Sequence, residues 1–275
     1  MPKRAKDSMI KHMKKELFIL PFDHRTSFVR DILELKTISK KTKERIKELK
    51  QMIFDGFLLS IKGKNKKSFG ILVDERFGES ILGEAKKKNI TIVVPVEKSG
   101  IKELKLEHGN NFRKHVNKFK PDYVKILVRY NPKDKGQLKI LKRINDFAKK
   151  EKYEIILELL APPDKRIKTI KELMKAIDVD VWKLEGADKK LWLGIFKVLN
   201  KNSQVIVLGR GENKAKVEKW LKAAKPFPRI IGFAIGRTVF AKPLINYNKA
   251  KISKKEAIKQ ISGNFNHFLN LWQRK

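Results

Sequence analysis

Short apolar runs alternate with helical segments eight times along this chain, and this alternation restricts the fold more than any other feature. The runs are Leu17–Phe22, Ser68–Val73, Ile90–Val96, Tyr123–Val128, Tyr153–Leu160, Asp180–Gly186, Gln204–Leu208 and Ile230–Ile235. Most are nearly continuous in Val, Ile and Leu, which is typical of parallel strands that helices cover. Eight strand–helix units in 275 residues predict an α/β fold, a single (β/α)8 TIM barrel. A doubly wound open sheet is the alternative.

Segments with helical periodicity separate the runs. They are about Ser27–Ser60, which a break near Thr37–Ser39 would divide, then Gly78–Lys88, Asn110–Lys118, Lys133–Lys150, Ile167–Ile177, Lys189–Asn200, Asn213–Ala223 and Ser253–Trp272. Asn213 and Ser253 suit N-cap positions, and Glu256 follows Ser253 by three residues. We therefore expect a basic arm over residues 1–16 and one barrel domain over residues 17–275.

Composition limits the function classes. The chain has no cysteine, which excludes disulfides, thiolate nucleophiles and cysteine metal ligands. No stretch approaches the about 20 apolar residues of a membrane helix, and no apolar run of signal-peptide length follows the basic N-terminus. We expect a cytoplasmic protein that does not associate with membranes.

The formal charge of +36 arises from 66 Lys and Arg against 30 Asp and Glu. Such a charge attracts polyanions and speeds encounter with anionic small molecules. The lysines are spread over nearly every helical segment, however, and no aromatic residues are interleaved with them in an RNA-binding pattern. Non-specific polyanion binding is therefore expected, and solvated helix faces are the alternative interpretation.

Charged residues recur where the predicted strands end, the edge at which barrels of this kind carry their active sites. These residues are Asp23, Asp74, Glu97, Lys125, Glu158, Lys183, Arg210 and Arg237. Three of them, Lys125, Glu158 and Lys183, also lie within apolar runs, where a charge requires partners. Their convergence predicts a polar site at the mouth of the barrel.

Lys183 is the candidate nucleophile. Side chains alternate along a strand, so Val181, Lys183 and Glu185 share one face, and Lys183 is expected to point into the mouth. A lysine amine attacks a carbonyl only when unprotonated, a form that desolvation or a neighbouring cation such as Lys125 favours. The alternative is a buried ion pair of Lys183 with Glu185 or Glu158 that only closes the barrel.

Two carboxyl groups are candidate acid–base residues. Glu158 lies one strand before Lys183, and burial is expected to raise its pKa so that it can move protons. Its alternative role is counter-ion to Lys125 or Lys183. Asp23 could orient or deprotonate a substrate hydroxyl, or it could cap the helix that follows the first strand.

The last two strand ends suggest an anion site. Gly209, Arg210 and Gly211 follow the seventh run, and Gly236, Arg237 and Thr238 follow the eighth. Barrels often bind phosphate at these two loops. Tight turns are the alternative for the glycines, and the spacing matches neither a dinucleotide signature nor a P-loop.

Metal catalysis has little support in the sequence. The histidines are His12, His24, His108, His115 and His267. None forms an HxxxH or HExxH pair, and only His24 lies at a strand end, so a zinc-dependent reaction is disfavoured. A magnesium ion held by Asp23, Asp74 and Glu97 is the remaining metal alternative.

Seven segments resemble a known family in unbroken order from about residue 16. They are Leu20–Arg25, Val73–Gly78, Pro95–Gly100, Val124–Pro132, Trp182–Gly186, Leu208–Gly211 and Gly232–Phe240. They look like the barrel domain fused behind the sugar kinase in some bacterial 5-dehydro-2-deoxygluconokinases. That domain is similar to the class I tagatose-bisphosphate and sulfofructose-phosphate aldolases.

The resemblance implies a Schiff-base lysine at Lys183, an acid–base glutamate at Glu158 and an assisting lysine at Lys125. Together with the residue pattern, it predicts a metal-independent aldolase that needs no cofactor. The predicted substrate is a phosphorylated keto-sugar, such as 5-dehydro-2-deoxygluconate 6-phosphate or a ketohexose phosphate, cleaved to an aldehyde and dihydroxyacetone phosphate or a similar ketone. Asp23 completes the predicted catalytic set, and the predicted substrate and phosphate ligands are Arg25, Asp74, Glu97, Gly209, Arg210, Gly211, Gly236 and Arg237.

Barrels of this kind often pair, so a homo-oligomer is one expectation. Two other functions remain open: a phosphosugar-binding or regulatory barrel without turnover, and a basic protein associated with nucleic acid.

Overall fold

The computed structural model describes residues 16–35 and 37–273, and its central feature is a closed barrel of eight parallel strands. The strands are β1 (Leu17–Pro21), β2 (Phe69–Leu72), β3 (Thr91–Pro95), β4 (Tyr123–Val128), β5 (Glu154–Leu159), β6 (Val181–Glu185), β7 (Gln204–Leu208) and β8 (Ile230–Ala234). Each strand lies within one of the eight predicted runs. The predicted basic arm falls almost wholly outside the described residues.

Helices surround the barrel. They are α1 (Thr26–Ile32), α2 (Lys40–Ser60), α3 (Glu75–Lys87), α4 (Phe112–Phe119), α5 (Lys135–Glu151), α6 (Pro163–Leu173), α7 (Lys189–Val198), α8 (Lys214–Ala224), α9 (Arg237–Asn248) and α10 (Lys254–Gln273). Short 3-10 turns occupy Lys66–Ser68 and Gly109–Asn111. None of the helices in the described part of the chain combines the length and apolarity needed to cross a membrane.

The pairing of β8 with β1 closes the sheet. Leu17 lies opposite Gly232, and Ile19 lies opposite Ala234, in a parallel register. An open doubly wound sheet would have two edge strands with a partner on one side only, whereas each of the eight strands here pairs with two neighbours, so the (β/α)8 barrel is confirmed.

Apolar side chains fill two layers of the molecule. Inside the barrel lies a cluster that includes Ile19, Ile156, Val181 and Ile206. The larger layer lies between the strands and the helices and includes Trp182 and Leu184. Adjacent residues of β6 therefore point to opposite sides, as the alternation predicts.

The structure confirms one predicted break and changes other helix assignments. The segment Ser27–Ser60 is divided into two helices, α1 and α2, in line with the break expected near Thr37–Ser39. Helix α6 starts at Pro163, where the missing N–H of proline suits the first turn. Helix α9 was not predicted; Pro243 interrupts its sequence pattern, yet the helix continues through this residue.

The two predicted N-caps are confirmed. The side-chain oxygen of Asn213 accepts a hydrogen bond from the backbone N–H of Lys216 at 2.9 Å. Ser253 Oγ accepts one from Glu256 N–H at 3.2 Å. Both bonds satisfy N–H groups that the first helical turn leaves without a carbonyl partner.

Candidate active site

A cavity of about 460 Å³ opens at the carboxyl ends of the strands, where the charged strand ends converge. Among the residues that line it are Asp23, Arg25, Glu97, Lys125, Glu158, Lys183, Arg210, Gly211, Gly236 and Arg237. Two predicted ligands, Asp74 and Gly209, are not among its lining residues. We call this cavity the mouth pocket.

Lys183 points into the mouth pocket from β6. Its side chain is about 6% exposed, and its Nζ lies 2.9 Å from Glu158 Oε2. The parallel register sets this contact, because Glu158 of β5 lies directly opposite Lys183. Glu185 on the same strand has other partners, so of the two predicted ion pairs only Lys183–Glu158 forms.

Lys125 lies among three carboxylates. Its Nζ is 2.6 Å from Glu97 Oε1, 3.0 Å from Glu158 Oε2 and 3.1 Å from Asp23 Oδ2. Burial lowers the pKa of Lys125, but the charges of Asp23, Glu158 and Glu97 outweigh burial and raise it well above the usual value. Lys125 is therefore a fixed cation, and it shares the oxygen that binds Lys183.

The charge state of Glu158 differs from the expectation. Burial does act to raise its pKa, but the charges of Lys125 and Lys183 outweigh burial and lower it to about 2. The same balance, with Lys125 as the main opposing charge, holds the pKa of Asp23 well below its usual range. The predicted rise of the Glu158 pKa is wrong, because Lys125 and Lys183 lie 3.0 and 2.9 Å from its carboxylate oxygen and outweigh burial.

Glu97 is the carboxyl group whose pKa is raised. Burial is the largest cause, Lys125 opposes it, and the nearby charge of Asp23 adds to it. Glu97 Oε2 is buried without a hydrogen-bond partner. Glu97 therefore has the raised pKa that was expected of Glu158.

Asp23 does not cap the helix that follows β1, and the Arg25 side chain holds this segment instead. The N-cap position of α1 is Arg25, and no side chain caps this helix. Arg25 instead donates from Nη2 to the Glu97 carbonyl at 2.8 Å, and its Nη1 lies 3.2 Å from Glu107 Oε2. These bonds fix the β3–α4 loop as one wall of the mouth pocket.

Arg210 and Arg237, the two arginines predicted to bind phosphate, line the opposite wall, and each already pairs with an acidic residue. Arg210 Nη1 pairs with Glu185 Oε1, and Arg166 Nη2 binds the other oxygen of Glu185 at 3.0 Å. Arg237 donates from Nη2 to the Arg210 carbonyl at 2.8 Å, and its Nη1 lies 3.2 Å from Asp31. The Arg210 side chain is still 51% exposed, so it presents free N–H groups to the cavity.

Gly211 lets these two loops approach each other. Its φ is +77°, and a Cβ at this position would lie 2.8 Å from the Arg237 guanidinium carbon. Gly211 therefore does more than form a tight turn, because its lack of a side chain also makes room for the Arg237 guanidinium.

Asp74 does not line the mouth pocket, and both of its carboxylate oxygens are bonded within the protein. Its Oδ1 accepts from the backbone N–H of Phe77 at 3.0 Å and caps α3, while Oδ2 pairs with Lys50. Lys50 lies in α2 and is fully buried. Lys50 was not among the predicted site residues, although a lysine on the same helical face as Ile46, Leu49 and Ile53 was a signal of a buried pair.

His24 also lines the mouth pocket, and its sequence signal was its position directly after Asp23. Its Nδ1 is buried without a partner. Burial lowers the pKa of His24 to about 4, although the charge of Asp23 opposes this shift. His24 is therefore a neutral imidazole at neutral pH, able to accept or donate one hydrogen bond.

Fold and site together define a parallel eight-stranded barrel with a buried lysine–carboxylate network at its mouth. The chain belongs to the family described as "Uncharacterized protein conserved in bacteria (DUF2090)", whose model matches residues 4–275. No curated protein matches its sequence.

Two solved structures show a similar fold. A protein from Corynebacterium glutamicum is 17% identical, with a TM-score of 0.63 over 96% of this chain and 94% of the other. A fructose-bisphosphate aldolase from Slackia heliotrinireducens is 10% identical, with a TM-score of 0.58 over 95% of this chain and 92% of the other. At these identities the likeness concerns the fold, which is thus one that an aldolase also uses.

Proposed function

We propose that this protein is a class I aldolase that cleaves a phosphorylated keto-sugar through an imine on Lys183. The observation that carries the proposal is an amine buried at the mouth of a barrel, on a carboxylate that a second lysine shares. An amine at this position is shielded from bulk water and can attack a carbonyl carbon once it has given up its proton. A purely structural role would not explain two lysines on one oxygen, because burying each charge costs free energy of hydration.

In the proposed reaction, Lys183 Nζ attacks the substrate carbonyl carbon, and loss of water gives a protonated imine. A base then removes the proton from the hydroxyl next to the bond that breaks. The electrons of the carbon–carbon bond move to the imine, which leaves an aldehyde and an enamine on Lys183. Protonation of the enamine carbon and hydrolysis by water release the ketone and restore the lysine.

The two glutamates take different parts in this scheme. Glu158 is ionised, with a pKa of about 2, so it is the counter-ion that balances the protonated imine on Lys183. Glu97, whose pKa burial raises, is the more basic of the two carboxyl groups, so it accepts the hydroxyl proton and returns it to the enamine carbon. Lys125 holds both carboxyl groups within 3.0 Å of its Nζ and also stabilises developing negative charge on oxygen.

The substrate phosphate would bind at the loops after β7 and β8. Arg210 and Arg237 line this side of the mouth pocket, and a phosphate that competes for Arg210 would replace part of its pairing with Glu185. Lys98 lines the opposite wall. Cationic side chains therefore lie on both sides of the mouth pocket, which suits an anionic ligand.

Borohydride trapping tests the imine. Wild-type protein, Lys183→Ala and Lys183→Arg would be incubated with a panel of keto-sugar phosphates and sodium borohydride, and intact mass would be measured. We expect one sugar-sized adduct in wild type and none in either variant. Lys183→Arg retains the positive charge beside Glu158, so the loss of the adduct cannot be attributed to a lost ion pair.

Lys102→Ala is the matched control, because Lys102 is an exposed lysine that lines the same pocket. It should keep the full adduct. An adduct that persists in Lys183→Ala, or a wild-type protein that binds the sugar phosphates and forms no adduct, would exclude the imine mechanism.

A phosphosugar-binding barrel without turnover is the second candidate. The observation that favours it is the degree of internal pairing: Lys183, Lys125, Arg210 and Arg237 all have acidic partners within the chain. This candidate predicts that sugar phosphates raise the melting temperature without product and without a trapped imine. Mass spectrometry of the same samples separates it from the aldolase.

A further inference from the structure

Three potential metal ligands meet outside the mouth pocket. Glu75 is the first residue of α3, His108 precedes the 3-10 turn Gly109–Asn111, and His115 lies in α4. Glu75 Oε2 lies 2.6 Å from His115 Nδ1 and 3.3 Å from His108 Nε2. One ligand atom from each residue lies within 4.8 Å of the other two.

The two imidazole rings are stacked, and one nitrogen of each lies near the same carboxylate oxygen, Glu75 Oε2. Their centroids are 3.4 Å apart and their planes differ by only 5°. The other oxygen of Glu75, Oε1, accepts from Lys118 Nζ at 3.0 Å, which orients the carboxylate. Oε2 lies near a nitrogen of each ring, and a bound cation would replace its hydrogen bond with His115 and turn the stacked rings so that their nitrogen lone pairs point at one position.

A small void adjoins the three side chains. Its volume is about 20 Å³, and its walls include all three ligands together with Val94, Val96, Phe112 and Val116. This space holds one water molecule or one ion and is far too small for a sugar phosphate. The side chains of His108 and His115 are each 35% exposed, so solvent can supply a fourth ligand to an ion in this space, which matches the tetrahedral preference of zinc.

We propose that Glu75, His108 and His115 form a binding site for a divalent transition-metal cation, most suited to zinc, with water as its fourth ligand. Two imidazole nitrogens and one carboxylate oxygen are donors that zinc binds and that magnesium and calcium, with their all-oxygen preference, do not. Zinc was disfavoured from the sequence because the histidines form no HxxxH or HExxH pair and only His24 lies at a strand end. The six residues between His108 and His115 hide the site, since the turn at Gly109–Asn111 folds them together.

The cation would join three separate segments beside the mouth pocket: the start of α3, the β3–α4 loop and α4. Glu107, next to His108, lies 3.2 Å from Arg25, and Arg25 lines both the mouth pocket and the small void. The metal therefore fixes the wall that Arg25 supports and does not itself contact the substrate. This site is independent of the imine chemistry proposed for Lys183.

The test is a titration of the untagged full-length protein with Co²⁺ after removal of metals by a chelator. We expect one equivalent to bind with the strong visible absorption of tetrahedral cobalt, and Zn²⁺ to displace it. His108→Ala and His115→Ala should each weaken binding about tenfold or more. His267→Ala is the matched control, because His267 also pairs with a glutamate, Glu218, at 2.8 Å.

Two further measurements keep the test decisive. Circular dichroism of each variant reports whether it folds, and His108→Ala changes a partly exposed loop residue that should tolerate truncation. A gain in melting temperature with Zn²⁺ in wild type and in His267→Ala, but not in His108→Ala, would support the site. A wild-type protein that binds no stoichiometric Co²⁺ or Zn²⁺, or binding unchanged in folded His108→Ala, would overturn it.

Discussion

At the scale of single residues, Glu158 is the charge that allows two lysines to lie side by side. Its Oε2 lies 2.9 Å from Lys183 Nζ and 3.0 Å from Lys125 Nζ. Asp23 and Glu97 bind Lys125 as well, but Glu158 is the partner found for Lys183. A change at Glu158 therefore alters both the proposed nucleophile and its neighbour.

The lowered pKa of Glu158 predicts a pH dependence of stability. Its pKa is about 2 in the folded protein against an ordinary value of 4.5, because the two lysine charges outweigh burial. Between these values the unfolded chain binds more protons, so this group contributes stability that is present above pH 4.5 and is lost as the pH falls toward 2. We expect the free energy of unfolding to fall less steeply with acidity in Glu158→Gln than in wild type.

Urea unfolding at a series of acidic pH values measures this slope. Glu79→Gln is a control, because the Glu79 side chain is 61% exposed and its pair with Lys118 is screened by solvent. Its slope should equal that of wild type. Equal slopes in Glu158→Gln and wild type would show that the two lysines do not hold the proton off Glu158.

The residue pattern predicted the meeting of Lys183, Glu158 and Lys125, but not their acidity. Strand parity and the common carboxyl edge of parallel strands are enough to direct these side chains into one mouth. Which carboxyl group is the stronger acid depends on distances of a few ångströms between charges, and these distances follow from the register. The sequence therefore could not reveal that Glu97, and not Glu158, has the raised pKa.

At the scale of elements, Gly232 allows β8 to pair with β1. Its φ is +152°, a conformation that residues with side chains rarely adopt, and a Cβ there would lie 2.1 Å from the Leu17 carbonyl oxygen. The neighbouring pairing of β8 with β7 contains a register shift between Val205 and Ile206. The chain therefore needs a residue without a side chain at the seam where the barrel closes.

Gly232→Ala should destabilise the barrel by about 3 kcal/mol or more, because the obstructing atom belongs to the backbone and cannot rotate away. Thermal and urea unfolding measure the change. Gly263→Ala is the matched control, since a Cβ at Gly263 in α10 meets nothing within 4 Å and alanine favours a helix. A Gly232→Ala variant as stable as wild type would mean that the seam can open to admit a methyl group.

The elements themselves were largely readable from the sequence. Buried parallel strands are continuous in apolar residues, so all eight could be located, and the caps at Asn213 and Ser253 located two helix starts. Helix α9 was missed because Pro243 and a weak polar–apolar pattern hide it, although burial of Val239, Phe240 and Leu244 stabilises it. Packing decides such an element, and packing is not visible in a local pattern.

At the scale of the whole molecule, the exposed basic side chains that contribute to the formal charge of +36 differ from the buried charges of the mouth pocket in how strongly salt screens them. The basic residues of the chain are spread over nearly every helical segment, and salt screens exposed charges beyond about 8 Å at physiological ionic strength. Lys183 and Lys125, by contrast, are buried and paired. Binding through the surface and binding through the mouth should therefore respond differently to salt.

We expect weak binding to a polyanion such as heparin, with an affinity that falls steeply as salt rises, because counterion release dominates such contacts. Lys183→Arg should leave this binding unchanged, since one buried lysine adds little to the surface field. Stabilisation by sugar phosphates should persist at the higher salt concentration and should be lost in Lys183→Arg, because the imine and the buried contacts need that amine. Fluorescence anisotropy and thermal shift at two salt concentrations measure the two effects. If salt abolished both to the same extent, the sugar phosphates would be binding to the basic surface and the mouth pocket would have no selective ligand among them.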